Sequence, residues 1–203
     1  TWVEVSTGLP SSSGSVFQGT AAQRIGMAVD PFNPSSTILG VVLDGTTAND
    51  MIYKNTAVRT GGSWSSVFTI TTFNTLTGDT NLTLTIEELW ATIAASGVYY
   101  ATCVGDVSGY RIIHTHDSGS NWTVSATFGT PTNYIAVGQR NALLVYNSGD
   151  DSASGLADVR TNAADHHVWV DSHNFGVTDS STSFWITMPL GTIDSELFVV
   201  NNS

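Results

Sequence analysis

Asp106 is the residue whose neighbours suggest chemistry most directly. It stands in Val104-Gly-Asp-Val-Ser-Gly-Tyr110, a short polar break between two apolar runs, with Trp90 and Tyr99 nearby in sequence. A carboxyl group beside aromatic rings could serve sugar hydrolysis, but inversion needs a second carboxylate roughly 6.5–9.5 Å away and a raised pKa on one of the two. Sequence supplies neither, so Asp106 is a weak catalytic candidate and a better candidate for ligand binding together with Trp90 and Tyr110. Other carboxylates fall in polar stretches: Asp44 and Asp50 in Asp44-Gly-Thr-Thr-Ala-Asn-Asp50, then Asp79, Asp150, Asp151 and Asp179. Asp150-Asp151, within Asn147-Ser-Gly-Asp-Asp-Ser, offers oxygen ligands to calcium but lacks the spaced Asp-x-Asp-x-Asp pattern of a built loop. His114 and His116, two apart on a strand, face the same way, and Asp165-His166-His167 with His173 makes a second group. Both read as polar turn residues. The expectation is no metal and no cofactor, with calcium as the one exception to test.

The elements that hold these residues are short strands. Only 11% of the 203 residues are charged, the formal net charge is −11, and Ser, Thr, Gly and Asn fill the gaps between apolar runs. That balance argues against nucleic acid or an anionic membrane surface as partner, since both call for basic patches. No apolar run approaches the ~18 residues of a membrane span, and no signal peptide is evident. The single cysteine, Cys103, has no partner for an internal disulfide and reads as a buried small side chain. Sequons at Asn81, Asn121 and Asn201 are no more than chance gives in an Asn/Ser/Thr-rich chain. The low lysine content matches secreted or virion-surface proteins.

Strands are expected at Trp2–Val5, Ile25–Val29, Thr37–Leu43, Met51–Lys54 and Ser63–Phe68. Residues 69–83 are Thr/Asn/Gly-rich and read as the longest insertion, in a chain expected to hold almost no helix. Strands resume at Glu88–Ala94, Val98–Val104, Tyr110–Thr115 and Trp122–Phe128, then at Tyr134–Val137, Ala142–Tyr146, Leu156–Arg160 and Val168–Asp171. Ser183–Met188 and Glu196–Val200 close the series. The result is a single domain over 1–203 with approximate units 1–68, 69–128, 129–171 and 172–203.

One stretch marks the repeat. In His114-Thr-His-Asp-Ser-Gly-Ser-Asn-Trp-Thr123, Asp117 can accept turn N–H groups, Gly119 takes positive φ cheaply, and Trp122 covers the turn. This segment resembles the Asp-box, the (Ser/Thr)-x-Asp-x-Gly-x-x-Trp repeat of bacterial neuraminidase repeats, sortilin-type proteins and propeller xyloglucanases. Trp2, Trp64 and Trp169 stand in corresponding places, Trp64 in a degenerate box without the Asp. Val5-Ser-Thr-Gly-Leu-Pro10 and Ala28-Val-Asp-Pro-Phe-Asn-Pro34 are similar to segments of the same families. The resemblance implies an all-β, propeller-like array of four-stranded antiparallel blades, about three of them full and the rest partial. Thr1-Trp2 looks like the tail of a box whose first half is missing, which points to a larger ring, a longer parent or a homo-oligomer.

With strands running from the axis outward in each blade, turns after the first and third strands share one end, here the corner end. Asp117, Gly119, Trp122 and the Asp30-Pro turn fall there and read as structural. The other turns share the loop end, which collects Asp44, Asp50, Asp79, Asp106, Asp150, Asp151, His173 and Asp179. Loops on a rigid scaffold are where sites concentrate, so the loop end is the binding candidate. The segment Tyr100–Arg111 faintly resembles the loop bearing a catalytic Asp in the propeller xyloglucanases. A sialidase reading fares worse: its carboxylate grip needs clustered arginines, and Arg24, Arg59, Arg111, Arg140 and Arg160 are dispersed. Arg24-Ile25-Gly26 also departs from the Arg-Ile-Pro entry of that family. The expected function is therefore a non-catalytic extracellular or virion-surface module that binds glycan or protein or builds an assembly. The rivals are a glycoside hydrolase fragment and a purely structural coat or fibre component.

Overall fold

The computed structural model describes residues 7–9, 25–34, 38–42, 51–91, 95–124, 132–137, 145–151, 156–162, 170–174, 184–187 and 198–201. The expected strand Trp2–Val5 lies outside these residues, as do Trp169, Asp44, Asp50, Asp179 and Asp165-His166-His167.

Among the described residues the chain is mostly β, and each sheet is built from consecutive strands. Sheet 1 holds β1 (Ile25–Val29), β2 (Ile38–Val42), β3 (Met51–Asn55) and β4 (Ser65–Phe68), in that order. Sheet 2 holds β5 (Leu84–Ala91), β6 (Tyr99–Gly105), β7 (Gly109–Thr115) and β8 (Thr123–Val124). Sheet 3 holds β9 (Thr132–Val137), β10 (Val145–Asp151), β11 (Leu156–Asn162) and β12 (Val170–Asn174), and a two-stranded sheet pairs β13 (Phe184–Thr187) with β14 (Phe198–Asn201). Every pairing is antiparallel. The first strands of successive sheets, β1, β5, β9 and β13, lie beside one another. Sheets therefore follow one another along a shared inner edge, an arrangement of the propeller type.

The core explains the sequence of β6. Tyr99, Ala101 and Cys103 point toward sheet 1, where they pack with Ala28, Ile52, Phe68, Phe73, Leu84, Ile86, Leu89, Ile113 and Trp122. Tyr100 points the other way and packs with Val98 and Ile112, flanked by Trp90 and Tyr110. A strand covered on both faces has no polar side to alternate, hence the unbroken Val98-Tyr-Tyr-Ala. The bulge between Ile86 and Glu88 on β5 resets its parity, so Leu84, Ile86 and Leu89 all reach the same core. Cys103 is fully buried there, its thiol donating to the Arg111 carbonyl at 3.7 Å.

Residues 69–83, expected as an irregular insertion, contain the helix α1 (Ile70–Thr77). Thr69 caps its start by accepting the Thr72 N–H, and Gly78 at φ 76° closes it, donating to the Asn74 carbonyl. Phe73 turns fully inward and meets Phe68 edge-on at 6.3 Å, while Ile70 and Leu76 cover the same cluster. Ile70, Phe73 and Leu76 are a three-residue repeat that a Thr-rich composition hides.

Three expected loop positions are strand positions. Asp150 pairs with Ala157 and Asp151 with Leu156, closing the β10–β11 ladder, and His173 pairs with Val159 on β12. Backbone pairing carries through these polar side chains because the ladder bonds are made by the main chain. All three remain near the loop-end termini of their strands.

Candidate functional site

At the loop end of sheet 2, two segments hold each other by reciprocal hydrogen bonds. The Asn81 side-chain oxygen accepts the N–H groups of Val107 (2.9 Å) and Ser108 (2.8 Å) in the β6–β7 turn. In return, Asp106 Oδ1 accepts the N–H groups of Leu82 (2.8 Å) and Thr83 (3.0 Å) in the connection after α1. Asn81 is 4% exposed, and its Nδ2 donates to Asn74 Oδ1 and to Ser108 Oγ, both at 2.7 Å. Asn74 also accepts the Asn81 N–H at 2.9 Å and donates to the Asn81 carbonyl at 3.0 Å, tying the clasp to the helix. Ser108 Oγ in turn donates a hydrogen bond to Asp79 Oδ2 at 2.7 Å. Gly105 at the end of β6 leaves room for this, because a Cβ there would run into Asn81 Oδ1 and the Phe73 ring.

The clasp sets the electrostatics of Asp106. The Thr83 N–H holds its carboxyl below the usual range, desolvation opposes this, and the Leu82 N–H adds to the lowering. The group is ionised at neutral pH and engaged as an acceptor. Tyr110 stands on β7 opposite Val104, close to Asp106 along the ladder. Trp90 does not join them. It pairs with Tyr100 near the other end of β5, which at ~3.3 Å per residue is roughly 20 Å from Asp106. Its indole N–H instead donates to Glu88 at 3.1 Å. Proximity in sequence misled because β5 and β6 run in opposite directions. Leu82 and Val107, 78% and 59% exposed, project from the two clasped segments.

Behind the clasp lies Arg111, which sequence reasoning treated only as one dispersed arginine. It is 8% exposed, directly across from Cys103, and its Nη1 has no hydrogen-bond partner. Burial pushes its pKa down, and the charge of Asp79 partly offsets this. In the sequence Arg111 stands between Tyr110 and Ile112, eight residues from Cys103, and carries no signal of such burial.

The corner end is built from more local bonds. Thr115 Oγ1 accepts the Gly119 N–H at 3.0 Å and donates to Asp117 Oδ1 at 2.8 Å. Asp117 also accepts the Asn121 N–H (2.8 Å) and side-chain amide (2.6 Å). Partial desolvation pushes the Asp117 carboxyl up, but the Asn121, Thr115 and Ser120 donors outweigh it and bring the pKa to about 2. Gly119 has φ 84°, and Trp122 is buried, 5.2 Å from Phe68 in an edge contact. In sheet 1, Trp64 likewise immediately precedes the last strand but is only half-buried, and its N–H donates to the Thr7 carbonyl at 2.8 Å. Asn55 ends β3 as Thr115 ends β7; it accepts the Ala57 N–H and donates to the Gly62 carbonyl. Asp30 joins the two sheets: its carboxylate accepts from Phe32, from the Ser96 hydroxyl at 2.7 Å and from the Gly97 N–H at 2.9 Å.

His114 is a buried strand residue, not a turn residue, and stacks on Tyr100 at 5.6 Å with His116 edge-on at 5.2 Å. Among the described residues no three His, Cys, Asp or Glu side chains group as metal ligands. No helix among them is long and apolar enough to cross a membrane.

No protein-family model matches the sequence, and no curated protein matches it. Solved structures do resemble it. One is the GH74 xyloglucanase from Xanthomonas campestris, at 12% identity and TM-score 0.48 over 71% of this chain and 20% of that one. Another is a Hadza microbial sialidase, at 16% identity and TM-score 0.50 over 81% of this chain and 36% of that one. The chain spans about a fifth and about a third of their lengths. The sialidase likeness concerns the fold alone, and it agrees with the antiparallel sheets: the chain is mostly β, of the propeller type.

Proposed function

We propose that the chain is a non-catalytic module, extracellular or on a virion surface, whose loop end binds a glycan or a protein surface or helps build an assembly. In this reading the Thr115–Trp122 hairpin is an Asp-box, the sheets are propeller blades, and the β13–β14 pair is completed within a larger ring or by another copy. The observation that carries the reading is the engagement of Asp106. A general acid for glycoside hydrolysis needs a raised pKa, whereas Asp106 is lowered by the backbone donors of Thr83 and Leu82. The carboxylate best placed for chemistry in the sequence fastens two loops and holds the loop end of sheet 2 in a fixed shape. A preformed surface loses little entropy on binding, which suits recognition. The net charge of −11 sets nucleic acid and anionic membranes aside as partners. Asp44, Asp50, Tyr110, Asp150, Asp151 and His173 remain the candidate contact residues, with calcium as a candidate ion at Asp150-Asp151.

The test is a glycan array run beside a product-release assay on the same glycans. Retention without cleavage supports the proposal. Cleavage that disappears in Asp106→Asn would replace it with the glycoside hydrolase reading, and ordered self-association without ligand would favour a coat or fibre component.

A further inference from the structure

Two of the three sequons lie where their side chains are described, and they have opposite surroundings. Asn81-Leu82-Thr83 starts on a residue 4% exposed, whose amide nitrogen donates both its hydrogens, to Asn74 Oδ1 and Ser108 Oγ. Its oxygen accepts two further N–H groups. N-glycosylation transfers an oligosaccharide from its lipid diphosphate carrier to this nitrogen: an N–C bond forms, the carrier's C–O bond breaks, and one Nδ2 hydrogen leaves as a proton. One of the two donated bonds is then lost by stoichiometry. The sugar would also have to occupy a site so tight that a Cβ on Gly105 already collides with the Asn81 oxygen. Asn121-Trp122-Thr123 differs. Asn121 is exposed and directs its amide to Asp117 Oδ2, a bond the remaining hydrogen can keep after modification.

We infer that this chain reaches its fold without passing through an N-glycosylating secretory compartment. Such modification acts on sequons of the nascent chain in surface-forming loops, before the clasp can bury Asn81. Export routes that lack the transferase, and assembly in a cytoplasm, are compatible with the fold. This goes beyond the binding reading, which concerns the final location and not the route.

The experiment expresses the whole chain in the bacterial cytoplasm and, behind a signal peptide, in a eukaryotic secretory host with and without an inhibitor of N-glycosylation. Thr83→Val, which removes the sequon and the Thr83 hydroxyl's bond to Asp106 but retains the backbone donor, is first shown to fold in bacteria. The expected result is cooperative unfolding of the bacterial protein and loss of folded secreted protein. Both the inhibitor and Thr83→Val should restore secretion. A folded secreted protein carrying a glycan on Asn81, located by peptide mass, would overturn the inference. So would a folded secreted protein with Asn81 bare, or a secretion defect that neither treatment relieves.

Discussion

The two ends of sheet 2 meet the same requirement by different means. At each, backbone N–H groups of a turn are taken up by a short polar side chain. In the β7–β8 hairpin of the corner end the acceptors and donors lie within four residues of each other, from Thr115 to Asn121, while Asp30 reaches in from sheet 1 to the neighbouring turn at Ser96 and Gly97. At the loop end Asn81 and Asp106 reach more than twenty residues along the chain, and Asn81 is buried with four side-chain hydrogen bonds to three residues. The local clamp shapes one hairpin. The distant clasp fixes how a helix-bearing connection sits on the sheet that follows. An unpaired buried group costs more than an exposed one that water can satisfy, so damage at the two ends should differ in size.

Asn81→Ala gives the largest expected effect. It strips the acceptor from Val107 and Ser108 and a donor from Asn74 and Ser108, and should lower stability by about 3–4 kcal/mol in denaturant unfolding. A loss below that of the corner variants would break the comparison. Gly105→Ala should come next, since its Cβ meets Asn81 and Phe73; overpacking of this kind costs about 2–3 kcal/mol. A double variant with Asn81→Ala should then cost less than the two losses added, because the first change removes the group that the second strikes. Thr115→Val leaves the buried Gly119 N–H without its acceptor and should cost about 1–2 kcal/mol by the same unfolding measurement.

Asp117→Asn should have the smallest effect, because the carboxylate is exposed and solvent can replace it. Its signature is pH dependence. The folded carboxyl, at about 2, binds its proton less tightly than the ordinary group at 3.8. Its contribution is therefore complete above about 3.8 and is lost as pH falls through about 2. Asp106, also lowered, acts in the same direction. The slope of stability against pH below 4 should be shallower in Asp117→Asn than in the parent, and an unchanged slope would contradict the assigned hydrogen bonds.

How far the sequence could be read follows the same division. Thr115, Asp117, Gly119 and Trp122 stand within one short run, so their cooperation shows as a motif, and the strand series around them gave the succession of sheets. Asn81, Ser108 and Arg111 meet only after α1, β5 and β6 have folded back, and no local spacing records that meeting. Asn74 and Asn81 looked like loop filler because Asn is common in such stretches. Trp90 erred in the opposite sense: sixteen residues from Asp106 in the chain, it is carried to the far end by a strand that runs the other way. Asp150, Asp151 and His173 read as loop residues because polarity suggested a break where main-chain pairing continues.

The helical connection has a consequence for anyone rearranging the molecule. Counting strands suggests a seam after Phe68, yet Phe73 leans back on the sheet before it while Asn74 and Asn81 grip the one after. A permuted or shuffled chain opened at that seam would separate a plug from its socket.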